Sequence, residues 1–294
     1  MGRRRTSVEL GRGWRELARQ VLFVGSGILF YFGVRGLTEG SVDSAIENGE
    51  NILALEERFG IAIEMELQQW TERVPFLTTL SNWVYIWLHW PVIIVSLIWL
   101  HHARAYEYLI LRNAMFLSGA VGLIIFTTFP VAPPRLIGAG FVDTVTDLST
   151  SYRVLQPPNL VNKYAAVPSL HVGWNLLVGL VVFRATTNRM VRVLAVVTPL
   201  LMTIAVMTTA NHYLIDAVLG AAIALAGLLV ATKFTVRIAL VGRQPEVGPD
   251  EPDVVENDAV DPEFIHQRDG LGVVDGPRED KPAPLETTDD SFRK

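Results

Sequence analysis

His212 and Asp216 stand four residues apart in the run Asn211-His212-Tyr213-Leu214-Ile215-Asp216, and His171 ends the run Pro168-Ser169-Leu170-His171. On a helix, positions i and i+4 stack on one face, so the Asp216 carboxylate is expected one turn below the His212 imidazole. A carboxylate so placed fixes the tautomer of the ring and stabilises its imidazolium. The other ring nitrogen is then equipped to act as nucleophile or base. Pro168 suits a helix start, where its missing N–H costs nothing, and the first-turn N–H groups beside Ser169 attract anions such as phosphate. Arg135 closes the run Phe129-Pro130-Val131-Ala132-Pro133-Pro134-Arg135. Its planar guanidinium can hold phosphoryl oxygens. Lys163, five residues before Pro168, is a further candidate cation.

Other chemistries fall away. The chain has no cysteine, hence no disulfide, no thiolate metal site and no cysteine nucleophile. It has no HExxH, no Walker-type glycine loop and no paired CxxC, so neither a metal nor another cofactor is expected. Nothing in it suggests a nucleic-acid partner, and the motifs leave the oligomeric state open.

The elements that must position these groups are membrane spans. Half of the 294 residues are hydrophobic and the mean hydropathy is +0.32, too apolar for an ordinary soluble domain. A hydrocarbon core of about 30 Å takes about 20 apolar residues as helix. Six stretches qualify: residues 17–37, 76–100, 113–134, 164–183, 193–211 and 213–231. The fold expected is therefore an all-α, polytopic membrane bundle of six transmembrane helices. Arg3, Arg4 and Arg5 precede the first stretch as in a signal peptide. The exit Gly36-Leu37-Thr38-Glu39 offers no small-x-small cleavage site, so an uncleaved anchor is expected.

Orientation follows from the basic flanks. Arg12, Arg15 and Arg19, then Arg104 and Arg112, then Arg184, Arg189 and Arg192, then Lys233, Arg237 and Arg243 fall in alternate inter-span segments, and so on one side of the spans. Both termini are thus expected in the cytoplasm of a multi-pass cell-membrane protein. Arg135, His171, His212 and Asp216 then converge on the extracytoplasmic face. In the first outer loop, Ile52, Leu55, Phe59, Ile63, Leu67 and Trp70 recur at helical spacing, with Glu56, Glu57, Glu64, Gln68, Gln69 and Glu72 on other faces. That predicts one interfacial helix near 52–72. Residues 244–294 hold 15 Asp/Glu, 5 Lys/Arg and seven prolines, leaving 15 acids and 20 bases in residues 1–243. The membrane catalytic domain is therefore expected over 1–243, and 244–294 reads as a disordered acidic cytoplasmic tail.

Several residues carry two readings. Ser169 is a helix cap or a phosphate ligand. Arg135 is a phosphate ligand or a cation that snorkels to headgroups. His89, in Leu88-His89-Trp90-Pro91, makes a helix–helix hydrogen bond or lines a lipid path. Asp143 pins the outer loop or meets a polyol acceptor.

The elements Pro-Pro-Arg at 133–135, Pro-Ser-Leu-His at 168–171 and His-Tyr-x-x-Asp at 212–216 resemble the type 2 phosphatidic acid phosphatase superfamily. Within it they look most like the branch of inositol phosphorylceramide synthase and related inositolphosphotransferases. The last element is also similar to sphingomyelin synthases. The resemblance covers roughly residues 20–235. It implies that His212 attacks phosphorus and forms a phosphohistidine, with Asp216 orienting the ring. His171 would protonate the leaving alcohol and then deprotonate the incoming water or hydroxyl. Arg135 and Ser169 would bind the phosphoryl oxygens, fixed donors taking the place of a metal. Thr128 stands where the typical phosphatases carry Lys, and Val206 and Met207 stand where they carry Ser-Arg.

The function expected is therefore that of a lipid phosphotransferase moving a phospho-headgroup, with a phospholipid or polyprenyl-phosphate substrate. Hydrolysis of a lipid phosphate or polyprenyl pyrophosphate is the alternative. A non-catalytic transporter or scaffold is the second, although transporters place their charges near the midplane.

Overall fold

A computed structural model of the protein describes residues 14–37, 41–148 and 162–241. The acidic tail expected over 244–294, the N-terminal arginines Arg3, Arg4, Arg5 and Arg12, and Arg153 lie outside the described residues.

The chain is a helical membrane bundle. Its helices are α1 (Trp14–Leu37), α2 (Val42–Phe59), α3 (Glu64–Glu72), α4 (Pro75–Trp83), α5 (His89–Ala103), α6 (Ala105–Thr128), α7 (Thr144–Leu148), α8 (Leu170–Ala185), α9 (Arg189–Thr208) and α10 (Leu214–Val241). A π-helical turn, Val84–Leu88, joins α4 to α5, so that Pro75–Ala103 runs as one span. Four more stretches are long and apolar enough to cross a membrane: Trp14–Val34, Ala105–Thr128, Arg189–Thr208 and Leu214–Val236.

The remaining apolar helix differs from its expected range of 164–183. α8 starts only at Leu170, because residues 164–169 are used as an extended approach and an N-cap. Its 16 residues make about 24 Å, less than a full hydrocarbon core. It packs against α5, α6, α9 and α10 and is buried on nearly all sides, which places it at the centre of the bundle. α6 likewise ends at Thr128, before Pro130, Pro133 and Pro134 can break it.

The outer loop departs from the single helix expected near 52–72. It forms two helices, and the break is at Gly60, whose φ of 67° lies in the left-handed region that a helix stop favours. The facing is that of interfacial helices. Leu55, Phe59, Ile63 and Trp70 are exposed, whereas Glu56, Glu64 and Gln68 are buried. Against lipid this is the sensible arrangement: the apolar stripe turns outward and the polar stripe caps the bundle.

α8 and α10 cross closely enough to demand glycine. A Cβ on Gly173 would stand 2.6 Å from the carbonyl oxygen of Gly220, and one on Gly220 would overlap the Ser169 backbone. Small residues at such a crossing let two backbones approach. Here the approach brings the start of α8, with Ser169 and His171, against the start of α10, with Asp216.

Candidate active site

Three non-contiguous segments are laced together where α6 ends and where α8 and α10 begin. Val131 and Ala165 form a β-bridge, the Val131 N–H donating to Tyr164 O (2.8 Å) and the Ala166 N–H to Val131 O (3.2 Å). The Ser169 N–H donates to the Asp216 carbonyl (3.0 Å), and the Arg135 N–H to the Ala210 carbonyl (3.0 Å). The Tyr213 hydroxyl donates to Ala132 O (2.9 Å). Burial raises the pKa of that hydroxyl, aided by the Asp216 charge, so it remains a donor. Arg135, Ser169, His171, His212 and Asp216 thus all stand on segments of one backbone frame.

His212 lies before α10 rather than on it, so the helical i,i+4 stacking expected of His212 and Asp216 does not occur. His212 Nδ1 is 2.8 Å from the carbonyl oxygen of Ala166 and 3.4 Å from Asp216 Oδ2. A carbonyl only accepts, so Nδ1 carries the proton and Nε2 carries the lone pair. Asp216 Oδ2 also accepts the Tyr213 N–H (3.0 Å), which makes Asp216 a cap of α10 as well as a neighbour of the imidazole. Across α8, His171 lies with its ring centroid 5.8 Å from that of His212. Tyr85 and His89 pack against His171 on its other sides, at 4.8 and 4.5 Å between centroids.

Ser169 is the N-cap of α8, its Oγ accepting from the Val172 N–H at 3.5 Å. The capping reading is therefore met, and its hydroxyl proton is still a donor. Arg135 is held from two sides. Its Nε donates to Asn211 Oδ1 (2.9 Å) and its Nη1 pairs with Asp143 Oδ2 (2.6 Å), with the side chain 7% exposed. Asp143 thus pins the outer loop through Arg135. Lys163 is exposed on a turn and is not drawn into this frame.

Sequence reasoning missed two groups. Glu56 and Glu64 are fully buried, and both cap α10: the Leu214 N–H donates to Glu64 Oε1 (2.6 Å) and the Ile215 N–H to Glu56 Oε1 (2.7 Å). With Asp216, three carboxyl groups satisfy three successive amides of the helix that follows His212. Burial, and then the charges of Glu64 and Asp216, push the Glu56 carboxyl up to about 8. The available signal was the break at Gly60, which gives Glu56 and Glu64 separate helices and separate facings. The second group is Asn175 on α8, whose amide reaches both His171 and His89. A lone amide inside an apolar span was its signal. Among the described residues, no set of three or more His, Asp or Glu side chains is arranged to hold a metal ion.

Neither a curated protein nor a solved structure matches the chain. The family model of the PAP2 superfamily, the type 2 phosphatidic acid phosphatases, matches residues 50–230, more than half of the chain. That stretch holds α3 to α9 entire, most of α2 and the outer part of α10, and with them the laced motifs. With this match over more than half of its length and a bundle of apolar helices, the chain belongs to the PAP2 superfamily, a superfamily of phosphatase-type lipid enzymes.

Proposed function

We propose that the protein transfers the phosphoryl or phospho-headgroup of a membrane lipid through a phosphohistidine on His212. The observation that carries this reading is the pairing of His212 and His171. The Ala166 carbonyl holds His212 with its lone pair on Nε2, and a second imidazole lies 5.8 Å away between ring centroids. A phosphorus atom attacked by Nε2 would have His171 beside its leaving oxygen.

In the first step the Nε2–P bond forms as the P–O bond to the lipid breaks, and His171 gives its proton to the departing oxygen. In the second step neutral His171 takes a proton from water or an alcohol, whose oxygen then displaces His212 from phosphorus. Water yields phosphate and an alcohol yields a new phosphoester. Charge on the phosphoryl oxygens would be met by Arg135, whose Nε and Nη1 are committed to Asn211 and Asp143 and whose Nη2 would supply the donor. The Ser169 hydroxyl and the first-turn amides of α8 would join it. Asp216 supports the imidazolium that forms on His212. The basic flanks put this end of the bundle outside the cytoplasm, so substrates would arrive from the outer leaflet.

Transfer is favoured over hydrolysis by the few cations around the site, with Thr128, Val206 and Met207 where typical phosphatases carry Lys and Ser-Arg. The test is phosphate release from phosphatidic acid in mixed micelles by wild type, His212→Ala and His171→Ala. Loss of turnover in both variants supports the mechanism, and unchanged turnover in His212→Ala removes it. Supplying phosphatidylinositol or a polyprenyl donor with a labelled acceptor alcohol separates the reactions. Label recovered in a new phosphoester favours transfer, and phosphate alone favours hydrolysis.

A further inference from the structure

His89 lies at the end of the π-helical turn Val84–Leu88, in the middle of a span, and is almost fully buried. A π-turn accommodates an extra residue and re-aims the side chains that follow it. The His89 ring is sandwiched. Trp174 stacks on it at 6.0 Å with the planes 6° apart, and His171 packs against it at 4.5 Å. Three imidazoles, His212, His171 and His89, therefore follow one another into the bundle.

The end of this row fixes a protonation state. Asn175 Nδ2 is 2.8 Å from the His171 carbonyl oxygen, which only accepts, so the amide nitrogen is the atom placed there. The same nitrogen is 2.8 Å from His89 Nδ1. Its two hydrogens serve the two partners, one each. His89 Nδ1 must then accept, and the ring proton sits on Nε2. Protonating His89 at Nδ1 would set N–H against N–H in a buried site. The amide oxygen of Asn175 is buried without a hydrogen-bond partner. That is a desolvation cost the fold accepts while both hydrogens are used.

We propose that His89, locked by Asn175 as the neutral Nε2–H tautomer, is the positioning residue of His171. The proposal rests on His171 as the acid–base of the reaction above. His171 must carry a proton in one step and lose it in the next. A second imidazolium at 4.5 Å would oppose the protonated state, and a neutral ring does not. His171 is a titratable ring in contact with His89, and Tyr85 and His212 pack in turn against His171.

The experiment uses the full chain in detergent micelles, with histidine side-chain nitrogens labelled for NMR. Wild type should show one histidine, lost in His89→Phe, whose Nδ1 is of acceptor type and whose Nε2 is protonated from mildly acidic to mildly basic pH. Asn175→Leu should release it to titrate, and His89→Phe should shift the ring signals of His171. On phosphatidic acid micelles, His89→Phe and Asn175→Asp should lower kcat about 10- to 100-fold with KM little changed. That is less than the roughly 10²–10⁴-fold a general acid–base group contributes. The shape of the pH–rate profile should change in Asn175→Asp, whose carboxylate favours a charged His89. A wild-type His89 that titrates like an ordinary histidine overturns the proposal, as do His171 signals indifferent to His89→Phe. Retained turnover in His212→Ala would instead remove the reaction, and the nitrogen spectra would still decide the lock.

Discussion

The carboxylate of Glu64 accepts a hydrogen bond from the backbone N–H of Leu214, 150 residues further along the chain, at 2.6 Å. Glu56 does the same for Ile215 at 2.7 Å. Two short helices outside the span regions thus hold the first turn of α10, and with it the position of His212. In most helices a local Ser, Thr, Asp or Asn meets these amides. Here Asp216 meets one and the outer helices supply the others, which couples the docking of α2 and α3 to the geometry of the imidazole.

Removing Glu64 should therefore cost both stability and turnover. Glu64→Ala leaves the Leu214 N–H buried and unpaired, a loss of about 1–3 kcal/mol. Glu64→Gln keeps an acceptor and should lose less than half of that. Thermal unfolding in detergent measures the first effect. Turnover on lipid phosphate should fall about tenfold or more in Glu64→Ala, because small misplacements of a reacting group are expensive. Equal behaviour of the Ala and Gln variants would show that the hydrogen bond does not matter.

Glu56 adds a dependence on pH. Its carboxyl titrates near 8 in the folded protein, above the ordinary 4.5 that an unfolded chain restores. The folded state therefore binds this proton more tightly. The stabilisation is complete below about 4.5 and is lost as the pH rises through about 8. Glu56 Oε2 and Glu64 Oε2 are both buried without a donor, and a proton on Glu56 supplies one. Wild type should lose stability across that interval in thermal scans, and Glu56→Gln should show a flatter profile.

Much of this arrangement was legible in the sequence. The apolar runs give the bundle because lipid enforces internally bonded helices. The three motifs meet at the end of α6 and the starts of α8 and α10, and the alternation of basic flanks along the sequence leads one to expect this. What escaped was the role of two acids on α2 and α3. Glu56 and Glu64 stand on the polar faces expected of an interfacial helix, and no local spacing shows that they cap α10 from far along the chain. The i,i+4 spacing to Asp216 suggests a helix that includes His212. The cap at Tyr213 and Asp216 delays the start by two residues. The shared amide of Asn175 depends on packing between α5 and α8, which no local spacing encodes.

The crossing of α8 and α10 predicts a sharp steric limit. A methyl group at Gly220 would run into the Ser169 backbone, which cannot move without displacing the α8 cap. Gly220→Ala should destabilise the protein by about 1–3 kcal/mol, the usual cost of overpacking. Gly33 on α1 has open space around its added Cβ, and Gly33→Ala should be neutral or slightly stabilising. Comparing their unfolding temperatures checks the claim. Equal shifts would mean that the backbones separate easily at the crossing.

The two cations near the motifs should behave differently. Arg135 donates from separate nitrogens to Asn211 and Asp143, and a lysine has one nitrogen to offer. In Arg135→Lys the Asn211 side chain, next to His212 in sequence, loses its donor, and Asp143 is left with a partner that cannot also reach Asn211. Turnover should fall at least about tenfold if the fork that anchors the loop is also the proposed phosphoryl ligand. Asp143→Asn should lose less, because the amide oxygen still accepts from the guanidinium. Lys163 is exposed and outside the frame, so Lys163→Ala should leave kcat within about twofold of wild type. A larger loss in Lys163→Ala than in Arg135→Lys would move the phosphate site away from the guanidinium and toward the approach to α8.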